Sequence, residues 1–283
     1  MNVAIQGQPG SFHYEAAERL LGPQFDALDC ETFPEVFAAV ADGQVDCGVV
    51  AVANTLNGSI NEVYRLLQPK EKKEQERLWV CGETILQIEQ CLIGPSRREL
   101  EDVETVMSQS PALAQCVDWL ANHLPQARLR THNDTAASVQ YVMEHPDEPL
   151  AAVAGRRAAE IYDGQILASP INDVEHNYTR FFLLSRDGVV ENPTKTSIIL
   201  ELDHESGALA EALGTIATAG VNLSNIHSHP VPPTELGEAP RYSIYLDLQA
   251  GLDDELDRKV LDPIRDQVHS LTVLGTYVGA DSL

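Results

Sequence analysis

The stretch His176-Asn177-Tyr178-Thr179-Arg180-Phe181-Phe182-Leu183-Leu184-Ser185 decides how the chain divides. Its apolar run, 181–184, reads as a buried strand. Asn177, Thr179 and Arg180 stand at the entrance of that strand, and two readings of them stay open. One is a loop whose polar groups satisfy nearby backbone. The other is a small hydrogen-bonding site aimed at an anion.

Upstream, residues 1–170 alternate strand-like and helix-like segments. Strands are expected at 2–6, 46–53, 103–107 and 150–154, with 85–93 as a fifth, and helices at 11–21, 34–42, 111–122, 135–144 and 156–162. Ser110-Pro111 reads as an N-cap followed by a first helical position, Asp134 as an N-cap and Gly43 as a helix stop. This rhythm implies an α/β fold with mainly parallel sheets. The charged run from Lys70 to Arg77 breaks it near a lobe boundary. With 78–93 and 166–174 as crossings between two lobes, the strand at 181–184 returns to the first lobe and makes it discontinuous. Lobe one is then about 1–77 plus 172–186, and lobe two about 78–171.

Turn residues and Pro193 mark a linker at 186–193. Beyond it, strand 196–202, helix 206–219, strands 221–228 and 241–248, helix 252–268 and strand 271–278 follow in the order βαββαβ, a ferredoxin-like unit. The loop 230–240 is Pro-rich.

Length and composition are those of a soluble protein with two or three domains. Residues 1–7 show no signal-peptide pattern and no apolar run approaches membrane-spanning length, so a cytoplasmic location is expected. The five scattered cysteines form no C-x-x-C and fit reduced core positions. His227 and His229 share a strand face but lack a third ligand. The formal charge of −24 argues against a nucleic-acid partner, and two readings of it stay open: a solvated acidic surface that aids solubility, or a salt-adapted host. It also opposes an anionic ligand, so a site for one needs local positive potential.

Ligands in open α/β sheets bind beyond the carboxyl ends of strands. Here those ends carry Gly7-Gln8-Pro9-Gly10-Ser11, Asn54-Thr55, Ser108-Gln109-Ser110 and Gly155, with Asp134-Thr135 opening another helix. Most are small, polar and uncharged, and several open helices, where free N–H groups favour anions. A small carboxylic acid fits better than a nucleotide, since Gly7-x-x-Gly10 is neither a Walker loop nor a dinucleotide fingerprint. No nucleophile–base pair or carboxylate pair is visible. The inventory suits a reaction that needs positioning and a hydrogen bond to a leaving oxygen.

On these residues the sequence resembles the monofunctional prephenate dehydratases over nearly its full length. Thr179-Arg180-Phe181 preceded by Asn177 matches the family's active-site triplet, and Ala159-x-x-Tyr162, Ile171-x-Asp173 and Gly7 to His13 read alike. The family's Glu-Asn-Ser segment reads Ala53-Asn54-Thr55 with Gly58 kept. Its Ser-His-Pro segment reads Ser108-Gln109-Ser110 with Gln115 seven residues past Ser108. The resemblance implies a two-lobed, periplasmic-binding-protein-like catalytic region at 1–186 and a ferredoxin-like ACT regulatory domain at 194–283. It implies a carbon–oxygen lyase that converts prephenate to phenylpyruvate with loss of CO2 and water, regulated by phenylalanine. No cofactor and no metal are called for.

The same resemblance assigns catalytic roles to Thr179, as donor to the leaving hydroxyl, and to Asn54, Ser108 and Gln115. Substrate binding falls to Arg180, expected on the side-chain carboxylate, and to Phe181, Asn177, Gly10, Ser11, Thr55 and Thr135. Gly207, Ala208 and Leu209 with Asn222, Leu223 and Ser224 match the family's phenylalanine-binding segments, while its Glu-Ser-Arg-Pro reads His227-Ser228-His229-Pro230. A homodimer or homotetramer through 194–283 is expected, with no membrane partner. Two alternatives stand beside this reading: a decarboxylase that keeps the ring hydroxyl, and an inactive phenylalanine sensor.

Overall fold

The computed structural model describes residues 1–68, 77–203, 205–231 and 241–280. Most of the charged run 70–77 and of the Pro-rich loop lies outside those residues. The first lobe contains β1 (Asn2–Gln6), α1 (Phe12–Leu21), β2 (Asp26–Cys30), α2 (Phe33–Ala41), β3 (Cys47–Asn54), β4 (Gly58–Ser59), α3 (Asn61–Leu67) and β5 (Trp79–Gln87). It is completed by β11 (Tyr178–Ser185), the opening stretch, which returns between β3 and β5 in the order β2-β1-β3-β11-β5. β1 runs parallel to β2 and β3, and β11 runs antiparallel to both its neighbours. β3 holds the centre because Val49, Val50 and Val52 are buried on both its faces.

The second lobe contains β6 (Cys91–Gly94), β7 (Thr105–Ser108), α4 (Ser110–Ala114), α5 (Val117–His123), β8 (Arg128–Thr131), α6 (Thr135–Glu144), β9 (Leu150–Ala154), α7 (Arg156–Ile161) and β10 (Gln165–Ala168). Its sheet order is β10-β6-β9-β7-β8. The expected single strand at 85–93 is in fact two. β5 pairs with β11 in the first lobe and β6 pairs with β9 and β10 in the second. The first lobe therefore reaches past residue 77, and the crossing is the short segment 88–90. The expected helix 111–122 is also broken, with Gln115 capping α4 and α5 starting at Val117. Gln109, not Ser110, stands at the α4 N-cap. Asp134 does cap α6, its side chain accepting the Ala137 N–H at 2.8 Å.

The C-terminal unit contains β12 (Lys195–Leu202), α8 (Ala208–Thr218), β13 (Leu223–Val231), β14 (Arg241–Leu248), α9 (Asp254–Leu256), a π turn (Asp257–Leu261), α10 (Asp262–Arg265) and β15 (Ser270–Tyr277). All its pairings are antiparallel and the order β13-β14-β12-β15 is ferredoxin-like. Alternation gives this sheet two apolar faces. Ile198, Leu200 and Leu246 meet Ala212, Ile216 and Ile264 on the helical side. Ile199, Tyr245, Leu274 and Tyr277 form one core with Val80, Phe182 and Leu184 of the first lobe. β15 lies so close to β5 that a Cβ on Gly275 would fall 1.9 Å from the Val80 carbonyl oxygen. Among the described residues, no helix is long and apolar enough to cross a membrane.

Candidate active site

A cleft of about 550 Å3 opens beyond the carboxyl ends of β1, β3 and β7, between the two lobes. Thr179, Asn54, Phe181 and Ser11 line it from the first lobe, and Gln115 and Thr135 from the second. Among the described residues that line it none is Lys or Arg, and Asp134 is the one carboxylate.

A chain of side-chain amides orders the wall. Asn54 Oδ1 accepts the backbone N–H groups of Leu56 and Asn57 at 2.9 and 3.0 Å, which fixes its amide orientation. Its Nδ2 therefore donates, to Asn177 Oδ1 at 2.7 Å and to Thr179 Oγ1 at 2.9 Å. Asn177 Nδ2 passes the order on to Gln115 Oε1 at 3.0 Å, and Gln90 Nε2 reaches the same oxygen at 3.4 Å. Asn177 is fully buried, so it positions Asn54 and Gln115 from behind the wall. Thr55 also stands behind. Its hydroxyl accepts the Tyr178 N–H and donates to the His176 carbonyl.

At the other end of the cleft two helices start. Ser11 Oγ accepts the Tyr14 N–H and caps α1, while Thr135 is the first residue of α6. The Asp134 carboxyl is pushed up by burial, opposed by the N–H groups of Ala137, Ala136, Gln8 and Thr135. Gly10 lies beside the cleft rather than in its lining. It adopts φ +91°, and a Cβ there would fall 2.8 Å from Ala158 Cα on α7, so the lobes touch through bare backbone. Two buried acceptors, Gln8 Oε1 and Gln90 Oε1, have no partner among the described residues, and Gln90 lines the cleft. Such groups mark a polar cavity that a ligand or water would satisfy.

Residues 3–189 match the family model of prephenate dehydratase. The chain belongs to the prephenate dehydratase family. It is 34% identical to arogenate dehydratase 2 of Petunia hybrida over 292 residues, covering 98% of this chain and 71% of that protein. It is 33% identical to the bifunctional chorismate mutase/prephenate dehydratase of Aquifex aeolicus, covering 98% and 73%. Among solved structures, the prephenate dehydratase of Arthrobacter aurescens in complex with L-Phe aligns with TM-score 0.84 at 26% identity, covering 98% and 90%. GqqA, described as a novel type of quorum quenching acylase, aligns with TM-score 0.83 at 28% identity, covering 99% and 98%.

In this prephenate dehydratase family member five expected site residues do not line the cleft: Asn177, Thr55 and Gly10 stand behind or beside it, and Ser108 and Arg180 sit elsewhere. Ser108 is fully buried and donates to the Val153 carbonyl at 2.6 Å, so its hydroxyl serves the second-lobe sheet and does not line the cleft. Arg180 points away from the cleft altogether. Strand alternation sends Thr179 and Phe181 to one face and Arg180 and Phe182 to the other. There Arg180 Nε donates to Glu83 at 2.7 Å, Nη1 to Asp247 at 2.5 Å and Nη2 to the Tyr277 hydroxyl at 3.1 Å. Lys195 also pairs with Glu83, and Ser197 donates to Asp247. Burial works against the Arg180 charge, but Asp247, Tyr277 and Glu83 more than offset it and raise its pKa. The guanidinium expected on a substrate carboxylate instead ties the catalytic region to the C-terminal unit.

Sequence reasoning passed over Gln90 and His13 as cleft residues. Gln90 lies in a segment that reads as strand interior. His13 follows the Ser11 cap by two positions, a spacing that puts it in the first turn of α1 beside the cleft.

In the C-terminal unit, Gly207 caps α8 in the left-handed conformation and Ala208 and Leu209 open that helix. Asn222, whose Nδ2 donates to Gln249 Oε1 at 2.7 Å, precedes β13 beyond the far end of α8. Leu223 starts β13 against the helical core, and Ser224 reaches the Asp247 carbonyl at 3.5 Å. The His227 and His229 rings do share a face, with centroids 4.3 Å apart, and both pack near Tyr64 of the first lobe.

Proposed function

We propose that the chain is a prephenate dehydratase, converting prephenate to phenylpyruvate with loss of CO2 and water in phenylalanine biosynthesis. The Thr179 hydroxyl carries this reading. Its oxygen already accepts a hydrogen bond from Asn54 Nδ2, so its own proton is directed elsewhere, and its open side is the cleft. In the reaction the bond from the ring to its carboxylate breaks and the electron pair enters the ring. The ring C–O bond then breaks, and the oxygen leaves as hydroxide, which takes up a proton as water. Aromatisation supplies the driving force. Thr179 stabilises the leaving oxygen by donating a hydrogen bond. A cation on the ring carboxylate would stabilise the group that must leave, and the described lining residues include no Lys or Arg. The side-chain carboxylate is met by the N-termini of α1 and α6, where Ser11 and Thr135 stand. Purified protein should form phenylpyruvate from prephenate, and Thr179→Val should lower kcat by roughly 10²–10⁴. Unchanged turnover in that variant, or a product that keeps the ring hydroxyl, refutes the assignment.

One observation favours a second substrate. Arogenate carries an ammonium where prephenate carries a keto group, and a cleft with one carboxylate and no cation suits the lower net charge. Comparing kcat/KM for the two acids decides between them.

For regulation we infer that L-phenylalanine binds the C-terminal unit at Gly207, Ala208 and Leu209 with Asn222, Leu223 and Ser224. The relative solved with L-Phe supports the ligand. Within one chain the two segments lie at opposite ends of α8, whose 11 residues span roughly 16 Å. A site that uses both is therefore completed by a second copy, which supports a homodimer or larger homo-oligomer. The effector acts by preferring one arrangement of the lobes.

A further inference from the structure

His13 lines the cleft, yet nothing in the reaction above uses it. Its ring stands between Phe33 and Phe181, with centroids 5.8 and 5.2 Å away, and lies edge-on to Phe181 at 86°. Phe181 shares its strand face with Thr179, so the imidazole sits on the side of the cleft where the leaving oxygen is expected. Its Nε2 accepts the Ala51 N–H at 3.2 Å. Ala51 lies where the β3–β11 register shifts, from Arg180 opposite Ala53 to Phe181 opposite Ala51. A ring nitrogen that accepts carries no proton, so the proton of the neutral ring is on Nδ1. Nδ1 makes no hydrogen bond among the described residues and is not sealed in the interior.

We propose that His13 is a substrate-binding residue: a neutral imidazole that donates its Nδ1–H to a carboxylate or carbonyl oxygen of the bound anion. A cleft without cations has to hold its ligand with dipoles, and this one is fixed in direction by a backbone amide. Burial pushes the His13 pKa down to about 4, with no charged neighbour contributing. The groups packed on it, Phe33 of α2, Phe181 of β11 and Ala51 of β3, carry no charge, and Asp134 is the acidic group of the same cleft. The identity of the ligand rests on the function proposed above, but the donor role is tested apart from turnover.

The test is nitrogen-15 NMR of the full chain with and without prephenate or phenylpyruvate, alongside kinetics of two variants. His13 should show a proton on Nδ1 throughout pH 5.5–8, and that resonance should shift when either acid is added. His13→Phe, which keeps the ring shape but loses the donor, should raise KM roughly 10- to 100-fold with a smaller change in kcat. His13→Gln, whose amide can accept from Ala51 and donate in its turn, should recover most of that loss. An imidazole that titrates near pH 6.5 overturns the proposal. So does an Nδ1–H resonance indifferent to both acids, whether or not the protein turns over prephenate. An unchanged KM in His13→Phe overturns it as well.

Discussion

Replacing Arg180 by Met separates its structural role from a role on substrate. Arg180 and Asp247 side chains are 13% and 5% exposed, and Glu83 is fully buried. The variant leaves the two carboxylates unequally served. Each loses Arg180 from one oxygen; on the other, Glu83 keeps Lys195 and the Ala280 N–H, whereas Asp247 keeps the Ser197 hydroxyl alone among the described residues. Removing one partner of a buried ion pair costs about 3–5 kcal/mol, and the retained Lys195 places this case at the lower end. Adding Asp247→Asn removes the stranded charge, so the two changes should couple by about 1–3 kcal/mol in a double-mutant cycle. Urea unfolding followed by fluorescence is the assay. Trp79, on β5 beside the C-terminal unit, and Trp119, on α5 of the second lobe, report separate regions. The Trp79 transition should move to lower urea in Arg180→Met, and the KM for prephenate should change by much less than the loss of a charged substrate contact would require. Unchanged stability with KM raised about 100-fold would refute the reasoning and return Arg180 to the substrate.

Acid should destabilise the native state through His13. Its folded pKa, about 4, lies below the ordinary 6.5, so the unfolded chain takes up the proton first. The stability is fully present above pH 6.5 and is lost as pH falls towards 4, by at most about 3 kcal/mol. Unfolding curves at pH 7.5 and 4.5 should therefore differ less in His13→Gln than in the parent. Gly10→Val should hold the lobes apart against Ala158 and lower kcat/KM while the far-UV circular dichroism stays native. Light scattering should give at least a dimer mass, and a monomer mass with retained phenylalanine binding would remove the inference of a site shared between copies.

Local chemistry made much of the fold legible. The bounds of α6, the Asp134 cap and the extent of β14 follow from residues within a turn or a strand of one another. β8 escaped because all four of its residues are exposed, which leaves no apolar signal. The segment 85–93 escaped for the opposite reason. Both its ends are apolar, and the break at 88–90 depends on which sheet each end joins.

The site divides in the same way. The sequence, through its family resemblance, put Thr179, Asn54 and Gln115 in one polar site, and all three line the cleft. Thr179 and Arg180 were expected together at the strand entrance, but β11 begins at Tyr178, ahead of the apolar run, and alternation sends them to opposite sides. Which side is the cleft was decided only by the tertiary structure, because it depends on where the C-terminal unit docks. The partners that claim Arg180 lie 97 and 67 positions away, and Ser108 turns inward to a carbonyl 45 positions on. Capping and strand alternation act between neighbours and can be read in order along the chain. The pairing of a charge with distant carboxylates is set by packing between domains, and no short stretch of sequence contains it.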